Sequence, residues 1–498
     1  MSDVFISREK AEGDLLAAAA FIGERIASAD GRAEAMAAIV PQYLARGEVD
    51  LAAELANGVD DPFSRDKLLV AVAEKCADID DDEYALQLTD SVEDIGMRNE
   101  AIERIALIKV EKGQIDKADE MATSLPHPEQ VNAAIAVKTA VDGDLETAIA
   151  DVAEIDFAAS RAWALRKIAA NCIANGDLDE AVRCLELSVT AADEIEHDEE
   201  RIRTLCDIGN DLVEAKRNDL AVATFESARS QTEQLDNVHR DYFFANCSLG
   251  FLYANSEELA DKTLDLIKDK TQMASALVGF ARESWKKEDK ETAVETLDEA
   301  FEILKSQRDI ETRDTRAKNG LMAAIAVQYA GFGKNEKGVE AAQKVTEPNE
   351  RANAISQIAQ ILAFQKEDDL ARETLLLIEE PSERLDALLA ISDLKIKADD
   401  TDAANSLVDE AAASVNDIPQ MVSRSGVLNE ITSRYLANGF EQKARETALH
   451  NLKAIATVKD ESGQATLLVA VAGIFETANF ELNADEKSVV SQMLRSSE

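Results

Sequence analysis

The chain has 498 residues, and 53 Lys and Arg residues stand against 98 Asp and Glu residues, which gives a formal charge of −45. A surface this acidic argues against a broad nucleic-acid interface and against docking on anionic lipid, because both need concentrated positive charge. Hydrophobic residues make up 46% of the chain, enough for folded cores, and only 7 Pro and 20 Gly occur. So few turn residues favour helices over an all-β fold.

The N-terminal segment contains one apolar run, Leu15–Gly23, which is too short to span a bilayer. A secretory leader would use this run, but Glu9, Glu12 and Asp14 offset the basic residues that its first part needs. We therefore predict an amphipathic helix here, and we assign residues 1–31 as an N-terminal capping helix.

The five cysteines show no C-x-x-C spacing, and their number is odd. This usage is typical of reduced, buried thiols in a cytoplasmic protein. We therefore predict a cytoplasmic location and no membrane insertion.

A spacing pattern recurs thirteen times along the chain, at intervals of 30 to 45 residues. Its units start at residues 32, 65, 98, 128, 161, 201, 240, 273, 318, 351, 384, 424 and 464. A large apolar residue lies four positions after the start in twelve units, and Ile, Val, Cys or Phe lies seven after it in all of them. Together with offsets 8 and 11, these positions form one stripe of an α-helix.

A second helix follows in each unit. Gly or a polar residue lies at offset 15, where the first helix must end, and Ala lies at offset 20 in twelve units. Pro62, Pro348 and Pro381 each precede the next start by three residues, where the second helix should end. Each unit is therefore predicted to be an antiparallel helix hairpin. Nine units start with Arg, which we expect to bind the end of the preceding helix.

This pattern resembles the tetratricopeptide repeat family, which also places a small residue and an alanine twelve positions apart across a helix hairpin. The resemblance covers about residues 32–490. It implies an all-α fold, a right-handed superhelical solenoid of about 13 antiparallel hairpins, and a role as a binding scaffold. Two features depart from the family: offset 4 carries no Trp, and the units at 161, 201, 384 and 424 are about 40 residues long.

We predict five segments from the pattern. They are the cap at 1–31, repeats at 32–305, a linker or helix extension at 306–317, repeats at 318–484, and a C-terminal capping helix at 485–498.

Sequence motifs for catalysis or metal binding are weak. The four His residues have no partner at i+4, and no Cys pair completes a zinc site. The acidic stretch 78–83 lacks the Gly and the distant Glu of a calcium loop, and the Gly-rich stretch 331–338 lacks a preceding strand. We predict no enzyme activity, no catalytic residue, no cofactor and no metal.

The first helices of such hairpins line a concave groove, and we assign offsets 2, 5, 9 and 12 to it. Most of these positions are small or aliphatic, but those between residues 163 and 285 carry Arg and aromatic side chains, which commonly anchor interfaces. Asn210 and Asn246 add a partial resemblance to the carboxylate-clamp repeats of co-chaperones. The predicted partner-binding residues are Trp163, Arg166, Arg203, Asn210, Tyr242, Asn246, Arg282 and Trp285.

A competing interpretation is that the aromatic residues fill the core between helices and that the arginines pair with local acids. The sequence favours a non-enzymatic scaffold or adaptor that binds a protein or peptide, with an acidic group or a C-terminal carboxylate as a possible recognition feature. The alternatives are a ligand-responsive regulatory sensor and a self-associating assembly subunit. We predict no nucleic-acid partner.

Overall fold

The structure, a computed structural model, describes residues 5–307 and 314–496, and within these ranges it contains 28 α-helices and a 3₁₀ turn at Val415–Asp417. No strand occurs in this described part of the chain, which confirms the predicted all-α fold. The first helices of the units are α3 (Ala29–Ala45), α5 (Pro62–Asp78), α7 (Ile95–Glu111), α9 (Glu129–Val141), α11 (Ala158–Asn175), α13 (Asp198–Glu214), α15 (Arg240–Tyr253), α17 (Lys270–Lys286), α19 (Thr315–Gly331), α21 (Pro348–Phe364), α23 (Pro381–Lys397), α25 (Met421–Ala437) and α27 (Glu461–Thr477).

The second helices are shorter in most units. They are α4 (Val49–Asn57), α6 (Asp82–Asp90), α8 (Ile115–Ala122), α10 (Leu145–Ala153), α12 (Leu178–Asp193), α14 (Asn218–Thr232), α16 (Glu257–Leu264), α18 (Lys290–Ser306), α20 (Asn335–Ala342), α22 (Asp368–Leu375), α24 (Thr401–Ser414) and α26 (Glu441–Ile455). Three further helices lie at the chain ends: α1 (Arg8–Gly13), α2 (Leu15–Gly23) and α28 (Ala484–Ser496).

A residue in the left-handed conformation follows each first helix within two residues of its end. This residue lies at offset 15 in all thirteen units; it is Gly in six of them, as in Gly176 with a φ of 86°, and another residue in seven, as in Lys216 with a φ of 60°. Glycine adopts this conformation without the cost that a Cβ brings, about 1 kcal/mol or more for other residues. The predicted end of the first helix is thus confirmed.

The recurrent arginine binds the loop before its own helix. Arg98 donates from Nε and Nη2 to the carbonyl oxygen of Val92, six residues earlier, at 3.1 and 2.6 Å. The same bond is made by six of the nine arginines: Arg32, Arg98, Arg161, Arg201, Arg351 and Arg424. The expected bond to the preceding segment is confirmed in these units. The sequence did not predict that a backbone carbonyl group accepts this bond. In each of the six units, the accepting residue is a buried Ile or Val six positions before the arginine.

The helices form two compact units. One contains the residues up to Ile108 together with those from Leu362 onward, and the other contains Lys109–Ile361. The predicted boundary at 306–317 lies inside the second of these, where α18 and α19 pack against each other. Residues 308–313 of that predicted linker lie outside the described residues.

The first unit brings the two ends of the repeat array together. Helix α2, in which all nine residues are buried, packs against α27 and α3, and α27 also packs against α3. In hairpins such as α3–α4 and α11–α12, the second helix contacts both its own first helix and the next one, and α2 takes that place beside α27. Helix α28, from Ala484, contacts α1, α2 and α26 instead. The predicted cap at 1–31 thus contains α1 and α2, the predicted cap at 485–498 contains α28, and α2 contacts helices at both ends of the array.

A polar cluster holds this junction. Arg46, directly after α3, donates to Asp14 at 2.7 Å and also pairs with Glu476 of α27, while Ser462 donates to Glu34 at 2.9 Å. Burial raises the pKa of Asp14, but hydrogen bonds from Arg46 and from two backbone N–H groups outweigh it and bring the pKa below its ordinary value. This contribution to stability is present above the ordinary pKa and is lost as the pH falls through the lowered one.

Close packing in the second unit depends on two glycines. The buried Phe225 of α14 lies against Gly209 of α13 and Gly250 of α15, and a Cβ at Gly209 would lie 2.5 Å from Cε1 of Phe225. Only glycine leaves room for this ring between the two first helices.

Substituting Gly209→Ala should lower the free energy of unfolding by about 1–3 kcal/mol, because the ring or the backbone must shift. Gly426→Ala is the matched control in α25, since nothing lies within 4 Å of its Cβ position. It should raise stability by about 0.5–1 kcal/mol. Urea unfolding followed by circular dichroism measures both, and equal effects of the two substitutions would contradict the packing described.

Substituting Arg46→Gln should lower the free energy of unfolding by about 1–3 kcal/mol, because it removes charged hydrogen bonds at the junction of the chain ends. Arg104→Gln is the control: Arg104 pairs with Glu74 at 2.8 Å on an exposed surface, and its loss should cost about 0–1 kcal/mol. Thermal unfolding of both variants gives the comparison. A smaller loss for Arg46 than for Arg104 would show that the cluster does not stabilise the junction.

Candidate partner-binding surface

On α11, α13, α15 and α17, the residues at offsets 2 and 13 are exposed, and those at offsets 6 and 9 are exposed or half-buried. At offset 2, Trp163, Arg203 and Tyr242 are exposed, whereas at offset 5 Cys206 and Ala245 are buried. The predicted groove offsets 5 and 12 differ from this pattern because successive first helices pack side by side and cover them. We call the exposed residues at offsets 2, 6, 9 and 13 of α11, α13, α15 and α17 the first-helix face.

Three of the predicted residues form one row on this face. Trp163, Arg203 and Tyr242 share offset 2 on α11, α13 and α15, and these helices are packed neighbours. Packed helices lie about 8–10 Å apart, so each side chain is within reach of the next. Trp163 and Tyr242 are each 42% exposed, and Arg203 makes no side-chain hydrogen bond or ion pair with any described residue. The row therefore presents two aromatic rings and an unpaired cation to solvent.

A second basic residue, Lys167, lies one helical turn after Trp163 on α11. Nζ of Lys167 lies 5.8 Å from the centre of the Trp163 ring, at the distance of a weak cation–π contact. Sequence reasoning missed Lys167, which lies at offset 6. Offset 5 carries a small apolar residue in most units of this region. This is typical of a buried position, and it could have indicated that offset 6, not offset 5, belongs to the surface.

Arg166 lies beneath the row and has a different role. It donates to Asp207 at 2.8 Å and to Asp211 at 2.6 Å, both on α13, and its side chain is half-buried. Burial raises the pKa of Asp211 above its ordinary value, and Arg166 opposes that shift. Arg166 thus ties α11 to α13, as the competing interpretation of these arginines expected.

The two predicted residues on α17 also contact neighbouring helices. Trp285 is half-buried and stacks on Phe332, with ring centres 4.2 Å apart and planes inclined by 14°. Arg282 is exposed and donates from Nε to Gln328 of α19 at 2.8 Å. It borders a cleft of about 360 Å³ between α17, α19 and α21, whose walls include Asn353. Trp285 therefore packs between helices, and Arg282 lies at the edge of a separate polar cleft.

The two asparagines do not form a matched pair. Asn210 is exposed at offset 9, and Asn246 is half-buried at offset 6. Neither makes a side-chain hydrogen bond to a residue that the structure describes. Because they occupy different rows on their helices, the geometry does not reproduce a carboxylate clamp built from equivalent positions.

The described ranges also contain His, Cys, Asp and Glu side chains that are candidate ligands for a metal ion. No group of three or more His, Cys, Asp or Glu side chains there is arranged to hold a metal ion. All five cysteines are buried and unpaired, and the closest pair, Cys206 and Cys247, has sulfur atoms 3.7 Å apart. Within the same ranges, no helix has both the length and the apolar composition needed to cross a bilayer.

One stretch of the chain matches a known repeat family. Residues 160–234, which cover α11 to α14 and most of the row, match the family model of the tetratricopeptide repeat. These residues therefore resemble the tetratricopeptide repeat, and the same spacing of helices and turns recurs along the described chain. Repeats of this kind generally mediate protein–protein interactions. A search of curated proteins found no match.

Several solved structures show a distant likeness. Ton1535 from Thermococcus onnurineus NA1 is 15% identical over 71% of this chain and 97% of that one, with a TM-score of 0.27. The signal transduction ATPase with a tetratricopeptide repeat sensor from Pyrococcus horikoshii is 12% identical over 74% and 64%, with a TM-score of 0.27. IFIT1 with Gppp-AAAA is 12% identical over 80% and 90%, with a TM-score of 0.24. Likenesses this weak carry no argument about function.

Substituting Arg166→Gln should lower the free energy of unfolding by about 2 kcal/mol at neutral pH, because Asp211 keeps its charge without a partner. The loss should be smaller near pH 5. Without Arg166 the pKa of Asp211 rises further, so the folded state then takes up a proton there and avoids the buried charge. Urea unfolding at the two pH values measures the difference.

The control is Arg183→Gln, which removes ion pairs to the exposed Glu146 and Glu180. Its effect should be small at both pH values, because water screens these pairs. An Arg166 variant that loses the same stability at both pH values would contradict the described environment of Asp211.

Proposed function

We propose that this protein is a non-enzymatic scaffold that binds a partner protein or peptide through the row of Trp163, Arg203 and Tyr242. The observation that carries the proposal is the coincidence of two exposed aromatic rings with an arginine that has no partner among the described residues. Trp, Tyr and Arg are the residue types that contribute most to binding at protein interfaces. Their planar side chains also lose little conformational freedom when a partner covers them.

The charge of the chain limits the chemistry of the partner. The formal charge of −45 repels a highly acidic partner at a distance, whereas Arg203 and Lys167 attract an acidic group that comes within a Debye length of about 8 Å. A short segment that combines an acidic side chain with an apolar or aromatic one therefore fits the row best. The net charge of −45 favours a protein partner over a nucleic acid, because phosphate recognition needs concentrated positive charge.

Substituting Trp163→Ala, Arg203→Glu and Tyr242→Ala together should abolish recovery of the partner in a pull-down from lysate. The three side chains are exposed, so the variant should keep the helical circular dichroism of the wild type. Arg166 and Trp285 are left intact because they pack between helices.

A matched control carries Phe157→Ala, Arg183→Glu and Val238→Ala, which remove exposed side chains of the second unit from other surfaces. It should recover the same proteins as the wild type. If the row variant also recovers them, the row is not the binding surface.

The two alternative roles give different results in the same experiment. Recovery of a second copy of this chain, with light scattering that shows a mass rising with concentration, would support a self-associating subunit. Binding of a small molecule that changes partner recovery would support a sensor. Recovery of one protein partner that depends on the row supports the scaffold.

A further inference from the structure

One unit-start arginine of the first unit, Arg384, makes neither the carbonyl bond nor the ion pairs that the other arginines of that unit make with described residues. Arg384 donates no side-chain hydrogen bond and makes no ion pair with a described residue. The unit at 161 has the same length of 40 residues and offers a direct comparison. There Arg161 donates to the carbonyl oxygen of Ile155 at 2.7 Å and pairs with Glu194, 33 residues later. The residues at those positions relative to Arg384 are Ile378 and Asp417.

A cavity of about 350 Å³ lies beside Arg384, and Asp417 lines it too. It forms because the short helix α22 ends at Leu375, whereas its neighbour α24 continues to Ser414 and into the 3₁₀ turn. The difference follows from the sequence, since the unit at 351 spans 33 residues and the unit at 384 spans 40. The longer helix extends past the shorter one, and no side chain of the described residues fills the space between them.

The walls of this cavity combine an apolar surface with charges of both signs. Leu375 and Leu388 are buried wall residues, and Leu376 is 70% exposed at the opening. Three charged lining residues have no ion pair within the described part of the chain: Arg384, Glu373 and Asp417. The remaining charges, Arg372 and Glu410, neutralise each other at 2.5 Å.

We propose that this cavity binds a free α-amino acid with an apolar side chain. Its carboxylate would pair with Arg384, its ammonium group with Asp417 or Glu373, and its side chain would lie against the leucines. Arginine holds a carboxylate through two parallel hydrogen bonds, and the apolar wall adds the free energy of burying the side chain. The volume lies in the range of small-molecule sites.

The charge pattern selects a zwitterion over simpler ligands. A fatty acid would satisfy Arg384 but bring its charge close to Glu373 and Asp417. An apolar amine would satisfy an acid but leave Arg384 without a partner. The site is independent of the proposed scaffold function, because the row on the first-helix face belongs to the second unit and this cavity belongs to the first.

Isothermal titration calorimetry of the full chain with L-leucine tests the proposal. One molecule of leucine should bind per chain. The probes 4-methylpentanoate, which lacks the ammonium group, and 3-methylbutylamine, which lacks the carboxylate, should each bind at least about tenfold more weakly, the effect of losing one charged hydrogen bond. Substituting Arg384→Gln should weaken leucine binding by a similar factor.

The matched control is Arg161→Gln, which removes the equivalent arginine where it is fully engaged, and leucine should bind this variant as it binds the wild type. Equal binding of all three probes, unchanged binding by the Arg384 variant, or no binding of leucine to the wild type at millimolar concentration would overturn the proposal. If Arg384→Gln does not fold, the comparison of the three probes on the wild type decides the question alone.

Discussion

The structure depends on one constraint: no helix hairpin here can bury its own apolar face. Within a compact unit, a first helix contacts the first helix of the next hairpin as well as its own partner, as α11 does with α13 and α12, so neighbours cover both sides of such a hairpin. Neighbouring helices must therefore approach closely. Small residues at offsets 8 and 20 allow this approach, and so do the two glycines that make room for Phe225. At the chain ends the same need is met by α2, whose nine buried residues cover α27.

The repeat pattern made the fold predictable because it reports contacts between residues that are close in sequence. Offset 15 predicted the end of each first helix, and a left-handed residue lies there in every unit. The pattern contains no information on which distant elements meet. The place of α2 beside α27 was therefore missed, and so was the division of the chain at Ile108 and Leu362.

The sequence also predicted part of the candidate surface, namely its exposed residues but not the contacts that its other residues make. The residue types at offset 2 identified Trp163, Arg203 and Tyr242, and these side chains are exposed. The roles of Arg166 and Trp285 could not be deduced, because their partners Asp211 and Phe332 lie on a different helix hairpin. A helix that touches neighbours on two sides has a wider buried stripe than one in a simple hairpin, which is why offsets 5 and 12 are covered.

The junction of the chain ends has a consequence for synthesis. Arg46 and Glu476 are 430 residues apart, so α2 leaves the ribosome long before α27, its main packing surface, exists. Its run of leucines, alanines and phenylalanine must stay exposed or bind elsewhere until almost the whole chain has been made, and contacts this distant in sequence form slowly. During that interval the nascent chain is prone to aggregation and is a natural client for chaperones that hold short apolar segments.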